Sequence, residues 1–335
     1  MDILVIRFSS LGDVIMATAV IEALHQRFPD YHLYFLTKRE YAPVFEHDMR
    51  IKKVVGIGRK ENPLEIISLL DRKYFDTVID LHSTLRSIAI TMLVKSPLKL
   101  RVKKHAIERR IMVWSRNRFK RSFDMLGNYI EMMKPLGVTG RVFPLIMPAR
   151  KAAAAADEIL KKKGVSVNHM IGIAPGAKHP KKRWNKESFA RVADGIAGRG
   201  YAPIFLGDEN DIEFIDHVRK IMKEHSVTLA GETELSVTIA LVSRLSALVT
   251  NDSGLMHVAG ALGIPFVAVF GPTHPNLGFA PGYPSGVIMH SGADCSPCSI
   301  HGQSPCRKRK RPCMDEITWE MVMGKVDTVI NKDGL

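Results

Sequence analysis

Short apolar runs alternate along this chain with longer segments whose apolar residues recur at helical spacing. In the first half, the runs that predict strands lie at residues 2–7, 32–37, 53–57 and 77–81. Residues 14–28 predict a helix after the first strand, and residues 95–134 are predicted to be mostly helical. Repeated strand–helix alternation predicts a parallel sheet with helices on both faces.

A second series of the same kind follows a predicted helix at residues 151–163. Its predicted strands lie at residues 171–174, 202–206, 227–230, 247–250, 266–270 and 287–290. A helix at residues 318–330 closes the chain and is expected to pack on this series or back on the first. The pattern therefore predicts an α/β protein of two Rossmann-like domains, residues 1–150 and residues 151–335.

The most informative stretch is residues 247–271, which predicts a strand, a polar turn, a short helix and another strand. The turn Asn251-Asp252-Ser253-Gly254 follows the first of these strands. Open α/β sheets bind ligands at the carboxyl ends of their strands. This turn suits a phosphate because it has an acid and a hydroxyl at a helix start, a glycine and free backbone N–H groups. They also suit a plain helix cap, so the turn alone leaves both interpretations open.

The composition of the chain is that of an ordinary globular protein. It has 335 residues, of which 46% are hydrophobic and 24% charged. No apolar run approaches the roughly 18 residues that a membrane-spanning helix needs. The first residues enter a strand without a signal-peptide pattern. We therefore expect a cytoplasmic protein whose membrane contact, if any, is peripheral.

The net charge of +14 is concentrated in one segment. Residues 95–122 contain eleven Lys or Arg and one acid, Glu108. Ile107, Ile111 and Trp114 recur there at helical spacing, which predicts a basic amphipathic helix. Such a helix suits an anionic membrane surface, a phosphorylated acceptor or nucleic acid, and a solvated surface helix is the plainer alternative.

The four cysteines are also clustered, at Cys295, Cys298, Cys306 and Cys313. In a reducing cytoplasm this C-x2-C-x7-C-x6-C pattern argues against a disulfide framework. Four nearby thiolates could hold a structural zinc, although the spacing is irregular and residues 307–311 are all basic. A redox pair and free thiols are the alternatives.

The motifs of several enzyme classes are missing. No G-x-G-x-x-G follows a strand, which argues against a dinucleotide oxidoreductase, and no P-loop sequence occurs. No D-x-D is present to hold a metal against a sugar nucleotide, and no G-x-S-x-G nucleophile turn occurs.

Three turns are expected to face a common cleft between the two domains. The first is Ser9-Ser10-Leu11-Gly12-Asp13, which places a carboxylate at a helix start. The second is Pro175-Gly176-Ala177 with the following Lys181-Lys182-Arg183-Trp184, and the third is the Asn251–Gly254 turn. One domain would then offer a carboxylate and the other an anion site.

Together, RFSSLGDVI, PGA with KKRW, and NDSGLMHVAGALGIPFVAVFGPT resemble the ADP-heptose:lipopolysaccharide heptosyltransferases, glycosyltransferase family 9. The resemblance covers nearly the whole chain, with the three motifs in order. It implies a GT-B fold whose N-terminal domain binds the acceptor and whose C-terminal domain binds the nucleotide sugar. It also implies inverting, metal-independent transfer of heptose from ADP-L-glycero-D-manno-heptose to Kdo or heptose of the inner core, without a cofactor.

The resemblance also assigns roles to individual residues. Asp13 matches the general base, Lys182 the lysine that contacts the donor diphosphate, and Glu209 an acid near the nucleotide ribose. Donor binding is further assigned to Gly176, Asp252, Ser253, Gly254 and His257. The family binds the acceptor with basic residues of the N-terminal domain. The candidates here are Ser10, Gly12, Ser83, Arg86 and Arg101, of which Ser83, Arg86 and Arg101 could equally be ordinary surface residues.

Elementary chemistry agrees with these roles and exposes one conflict. Inversion by direct displacement needs one base, and ADP leaves readily when its charge is stabilised by Lys182 and the helix starts that follow residues 176 and 252. A helix start keeps Asp13 ionised but makes it a weaker base.

Partners and alternatives follow from the same residues. The expected partners are ADP-heptose, a lipid A-core acceptor and the anionic face of the inner membrane. An alternative is a GT-B transferase or epimerase that uses a different nucleotide sugar. An RNA-binding protein would suit the charge, but no RNP-type aromatic motif is present, so we expect no nucleic-acid partner.

Overall fold

The computed structural model describes residues 1–71, 74–116, 118, 120–166, 169–306, 308 and 310–331. The chain forms two compact units. Unit 1 comprises Met1–Lys104 and Met125–Ala149, and unit 2 comprises His105–Asp124 and Arg150–Leu335. No helix among the described residues is long and apolar enough to cross a membrane.

Unit 1 is built on a five-stranded sheet in the order β3-β2-β1-β4-β5, with every pair parallel. Its strands are β1 (Asp2–Ile6), β2 (His32–Lys38), β3 (Lys53–Ile57), β4 (Thr77–Asp80) and β5 (Leu98–Arg101). Its helices are α1 (Leu11–Arg27), α2 (Pro63–Leu69), α3 (Leu85–Leu93) and α5 (Met125–Met133). The middle strands are apolar on both faces because helices cover both, as the sequence predicts.

Unit 2 is built on a six-stranded parallel sheet in the order β11-β10-β9-β6-β7-β8. Its strands are β6 (Met170–Ala174), β7 (Ala202–Phe205), β8 (Val227–Thr228), β9 (Ala247–Asn251), β10 (Phe266–Phe270) and β11 (Gly286–His290). Its helices are α4 (Ala106–Trp114), α6 (Arg150–Lys162), α7 (Lys186–Ala197), α8 (Ile212–Ile221), α9 (Leu235–Val242), α10 (Gly254–Ala261), α11 (Pro312–Asp315) and α12 (Trp319–Asn331). Two parallel sheets with covering helices confirm the predicted fold class.

The placement of residues 105–124 in the first domain is wrong. The chain leaves unit 1 after Lys104 and returns at Met125, and the segment between packs in unit 2. The Phe123 amide donates to the Asn276 carbonyl at 2.9 Å, and the Arg109 guanidinium lies 5.0 Å from the Phe279 ring centroid. These partners are more than 150 residues away in the sequence, so no local pattern could predict them.

One further expectation is corrected. Residues 95–134 are not mostly helical, because β5 pairs with β4 through Leu98–Arg101 and residues 120–124, between α4 and α5, are in neither helix nor strand. The closing helix is expected to pack on the second series or back on the first. Val322, Met323 and Val326 of α12 are buried in the core of unit 2.

Candidate active site

The polar residues of unit 1 gather where its central strands end. Ile6, Asp80 and Arg101 are in register on β1, β4 and β5. The residues that follow them, among them Arg7 and His82, therefore lie at the same carboxyl edge of the sheet, which is where open α/β sheets bind ligands.

Asp13, the predicted base, is held from two sides. Its Oδ1 lies 2.6 Å from Nη2 of Arg7, which follows β1 directly. Its Oδ2 accepts hydrogen bonds from the Ser10 amide and from the Ser10 hydroxyl, both at 3.0 Å. Ser10 is the residue before α1 and Asp13 is in the first turn, so the carboxylate completes a capping box. The Asp13 side chain retains 19% exposure, so it is not completely enclosed.

The electrostatic surroundings of Asp13 favour its ionised form. Burial by itself would raise the pKa of Asp13, but the Arg7 charge and the Ser10 hydrogen bonds outweigh burial and lower it. Arg7 in turn is buried, and its charge is stabilised by Asp13. The group is therefore a carboxylate at neutral pH, as a proton acceptor must be.

Asp80 organises the turn after β4. This carboxylate is fully buried and accepts hydrogen bonds from the His82 amide at 2.9 Å and the Ser83 amide at 2.8 Å. The Ser87 hydroxyl donates to its second oxygen at 3.0 Å, and Nε of Arg101 lies 3.4 Å away. Asp80 therefore brings Ser83 and Arg101, two predicted acceptor residues, to one carboxylate.

Two further cation-forming side chains share this edge. His82 packs on the Phe8 ring, with centroids 4.7 Å apart. Burial, with the Arg7 and Lys104 charges, lowers the pKa of His82 to about 4, so its imidazole is neutral at pH 7. Burial and the Arg7 charge likewise lower the pKa of Lys104. A place where the Arg7 charge lowers the pKa of both His82 and Lys104 is favourable for an anionic group.

The remaining predicted acceptor residues have other partners. Gly12 is buried in the first turn of α1. The Arg86 guanidinium donates to the Gly58 carbonyl at 3.0 Å and to the Glu61 carbonyl at 2.6 Å, and lies over the Phe8 ring. Arg86 thus fastens α3 to the loop after β3.

The second polar group lies in unit 2, where β6, β9 and β10 end. Nζ of Lys182 lies 2.6 Å from Oδ2 of Asp252, and the Thr273 hydroxyl donates to the same oxygen at 2.6 Å. The Lys182 and Asp252 side chains are only 14% and 7% exposed. The KKRW loop and the Asn251–Gly254 turn, far apart in sequence, are thus joined by an ion pair.

Asn251 provides a second connection between the same turns. Its buried amide donates to the Pro175 carbonyl at 2.7 Å and to the Gly176 carbonyl at 3.3 Å. Its Oδ1 accepts the Trp184 amide at 3.0 Å. One side chain at the end of β9 therefore sets the position of both halves of the second predicted motif.

A glycine is required at position 176 because the Asp211 carboxylate comes close to its backbone. A Cβ at this position would lie 2.1 Å from Oδ2 of Asp211. Asp211 pairs with Arg183 at 2.9 Å, and burial, with the nearby Asp208 charge, raises its pKa despite that partner. Glu209 lies in the same short turn and is exposed.

The other predicted donor residues lie at the start of α10. The Ser253 and Thr250 hydroxyls are 3.0 Å apart, and Gly254 is the first residue of the helix. His257 is 4% exposed, with its Nδ1 3.2 Å from the Tyr283 hydroxyl. The structure therefore turns His257 towards the interior of unit 2.

The four cysteines are free thiols between β11 and α12, three of them in the loop and Cys313 in α11. Among the described residues, no three His, Cys, Asp or Glu side chains are grouped so that they could hold a metal ion. Residues 307 and 309, part of the basic run, lie outside the described residues. The loop does contact the Lys182 region: a Cβ on Gly302 would lie 2.7 Å from Cγ of Lys182, and Arg311 donates to the Arg183 carbonyl at 3.3 Å.

The family model for glycosyltransferase family 9 (heptosyltransferase) matches residues 64–307. The chain belongs to glycosyltransferase family 9. Lipooligosaccharide heptosyltransferase 2 of Haemophilus influenzae is 27% identical over 294 residues, which cover 82% of this chain and 84% of that protein. The predicted family and enzyme class, a glycosyltransferase, are confirmed.

Two solved structures share the fold. A family 9 glycosyl transferase from Veillonella parvula has a TM-score of 0.82 at 23% identity, covering 99% of this chain and 97% of its own. The ADP-heptose lipopolysaccharide heptosyltransferase II of Escherichia coli has a TM-score of 0.78 at 22% identity and full coverage of both chains. This likeness confirms the GT-B fold class.

Sequence reasoning assigned no role to several residues that build the two groups in this family 9 chain. Among them are Arg7, Asn251, Thr273 and Asp211. A usable signal existed for two of them, because a polar side chain at the end of an apolar strand, as at Arg7 and Asn251, lies at the ligand-binding edge. Thr273 and Asp211 carry no such local signal.

Proposed function

We propose that this glycosyltransferase moves heptose from ADP-heptose to Kdo or heptose of the lipopolysaccharide inner core, with inversion and without a metal. The names of the relatives support the donor and acceptor classes. The observation that carries the mechanism is the Asp13 carboxylate, on a partly exposed side chain, which Arg7 helps to keep ionised and Ser10 orients.

Asp13 acts as the base in a single displacement. The acceptor hydroxyl gives its proton to Asp13 as its oxygen attacks the anomeric carbon. The bond from that carbon to the ADP oxygen breaks, and its electron pair leaves with the diphosphate. Because the pKa of Asp13 is lowered, the proton moves late, when the attacking oxygen is already becoming acidic.

Unit 2 stabilises the departing charge. Lys182 lies at the carboxyl edge of the sheet and is paired with Asp252. The donor diphosphate would compete with that carboxylate for the ammonium group and would also meet the backbone N–H groups that begin α10. Gly176 and Ser253 lie at the same edge, and Gly176 allows close backbone approach. With charge stabilisation supplied in this way, no metal is needed.

Unit 1 receives the acceptor. Ser10, Ser83, Arg101 and Lys104 surround the Asp13 and Asp80 carboxylates at one edge of the sheet. A carboxylated or phosphorylated inner-core sugar would be bound there by charge-assisted hydrogen bonds. Arg86 would act indirectly, by holding the loop after β3.

The direct test is to incubate the protein with ADP-heptose and a set of truncated lipopolysaccharide cores, and to identify by mass the core that gains a heptose. ADP-, UDP- and GDP-sugars run in parallel separate this function from the use of another nucleotide sugar or epimerisation. Transfer from a UDP- or GDP-sugar alone would contradict the proposal.

Asp13→Asn tests the base. We expect turnover to fall at least about a hundredfold, because a positioned base contributes that much or more, while ADP affinity stays unchanged. Asp30→Asn, an exposed carboxylate of the same unit, is the matched control and should leave turnover unchanged. Turnover of the Asp13 variant within about tenfold of the parent enzyme would assign the base elsewhere.

A further inference from the structure

Helix α4 exposes an apolar stripe. Ile107, Ile111 and Trp114 are 70%, 43% and 84% exposed. At 100° per residue these three side chains fall within an arc of about 60°. We call them the outer stripe. A soluble surface rarely presents three large apolar side chains in a row without a partner.

The opposite side of α4 fixes the helix to unit 2. Arg109 and Met112 are 6% and 2% exposed. The Arg109 guanidinium lies between the Phe123 and Phe279 rings, 5.3 and 5.0 Å from their centroids. The helix therefore cannot rotate to hide the outer stripe without giving up these contacts.

Positive charge surrounds the outer stripe along the chain. Exposed cations follow on the same segment at Arg110, Arg116, Arg118, Lys120 and Arg121. The acids of residues 105–124 are Glu108, which is paired with His105 at 3.3 Å, and Asp124. The segment thus combines an apolar stripe with a strong excess of positive charge.

We propose that the outer stripe of α4 docks on an anionic lipid bilayer, with the stripe at the acyl boundary and the cations on the headgroups. An amphipathic helix with Trp and Ile on one side and Lys or Arg around it has the chemistry of an interfacial helix. Each juxtamembrane cation adds attraction to an anionic leaflet. Nucleic acid would use the cations but leave the stripe in water. The outer stripe shares no residue with the groups assigned to sugar transfer, so its test does not depend on that reaction.

The test is cosedimentation with phosphatidylglycerol vesicles and with phosphatidylcholine vesicles. We expect binding to the anionic vesicles that weakens steeply with salt, and a blue shift of Trp114 emission, read as the difference from Trp114→Phe. We expect a triple variant to have a vesicle partition coefficient at least about tenfold lower, because burial of even one large apolar side chain changes a binding constant by that factor. The variant combines Ile107→Ser, Ile111→Ser and Trp114→Ser.

A matched control separates the outer stripe from general surface hydrophobicity. Met49, Met92 and Met321 are 91%, 73% and 48% exposed and lie on other elements. Changing all three to Ser should leave vesicle binding within about twofold. Both triple variants should melt like the parent protein, because only exposed side chains change.

Three outcomes would overturn the proposal. Equal binding to both vesicle types would show that the helix does not select anionic lipid. An equal loss of vesicle binding in both triple variants would show that the outer stripe is not the docking site. The third outcome is a protein that fails to bind vesicles but is retained on RNA. If Arg118→Glu and Arg121→Glu abolished that retention, the segment would be a nucleic-acid site.

Discussion

The contact between Arg7 and Asp13 determines the charge state of the proposed base. Arg7 follows a strand and Asp13 begins a helix, so the tight turn between them brings the two side chains to 2.6 Å. Burial raises the pKa of this carboxylate, and the Arg7 charge together with the hydrogen bonds outweighs burial and lowers it. A base of lowered pKa is protonated only under acid conditions.

Replacing Arg7 should therefore change the pH profile of transfer. In the native protein the ionised carboxylate is present above its ordinary pKa and is lost only as the pH falls through the lowered folded value. In Arg7→Met, only the Ser10 hydrogen bonds still oppose the effect of burial. The pKa of Asp13 should therefore rise, and the acid limb of kcat/KM should move upward by about one pH unit or more. Rate–pH profiles measure this shift.

Arg7→Lys is the control for charge. Because it keeps a cation beside Asp13, its acid limb should remain near that of the parent enzyme. An acid limb unchanged in Arg7→Met would mean that Arg7 serves only to fold the turn.

Single residues show what the sequence could and could not predict at this scale. Asp13, Lys182 and Asp252 stood out through their motifs, and the structure places each at the carboxyl edge of its sheet. Their roles in transfer stay predictions. The partners of Arg86 and Asn251 could not be predicted, because each bonds to backbone groups at least 25 residues away.

At the scale of elements, the loop between β11 and α12 is the feature whose contacts the sequence did not predict. Gly302, at a φ of +81°, passes against the stem of Lys182. Ser296 donates to the Gly271 carbonyl at 2.7 Å, which ties the same loop to the end of β10. The loop thus supports Lys182 in its contact with Asp252.

Gly302→Ala should weaken donor binding. The new Cβ would push the Lys182 stem away from Asp252, so we expect the dissociation constant for ADP to rise about three- to tenfold, or up to about 1.4 kcal/mol. Calorimetric titration with ADP measures it.

Gly292→Ala is a close control in the same loop. Gly292 also has a positive φ, +76°, but its added Cβ would meet no atom within 4 Å. It imposes the same backbone strain without the contact to Lys182. Equal losses of affinity in the two variants would attribute the effect to strain alone.

Strands were easier to predict than their surroundings. The residues of β3 and β10 match the predicted bounds because both are compact apolar runs between polar turns. The four-residue β5, Leu98–Arg101, was missed because Lys99 and Arg101 alternate with its apolar residues at the edge of the sheet. An edge strand with charges every second residue has no continuous apolar run to reveal it.

At the scale of the whole molecule, each unit has a hydrophobic core of its own. Leu36 on β2 and Phe75 before β4 belong to the core of unit 1. Phe189 on α7 and Val249 on β9 belong to the core of unit 2. The sequence predicted two domains from its two strand–helix series, but not the passage of residues 105–124 into unit 2, which depends on distant partners such as Asn276.

Because the two cores are separate, we expect a core substitution to destabilise mainly the unit that carries it. Leu36→Ala removes a fully buried side chain in unit 1 and should cost about 2–5 kcal/mol, and Phe189→Ala should cost about 3–5 kcal/mol in unit 2. Amide hydrogen exchange should then accelerate mainly in the unit that carries the substitution, because opening of that unit no longer requires its full stability. Exchange measured by mass spectrometry resolves the peptides of each sheet. Acceleration to the same extent in both sheets, from either substitution, would mean that the two cores unfold as one cooperative structure.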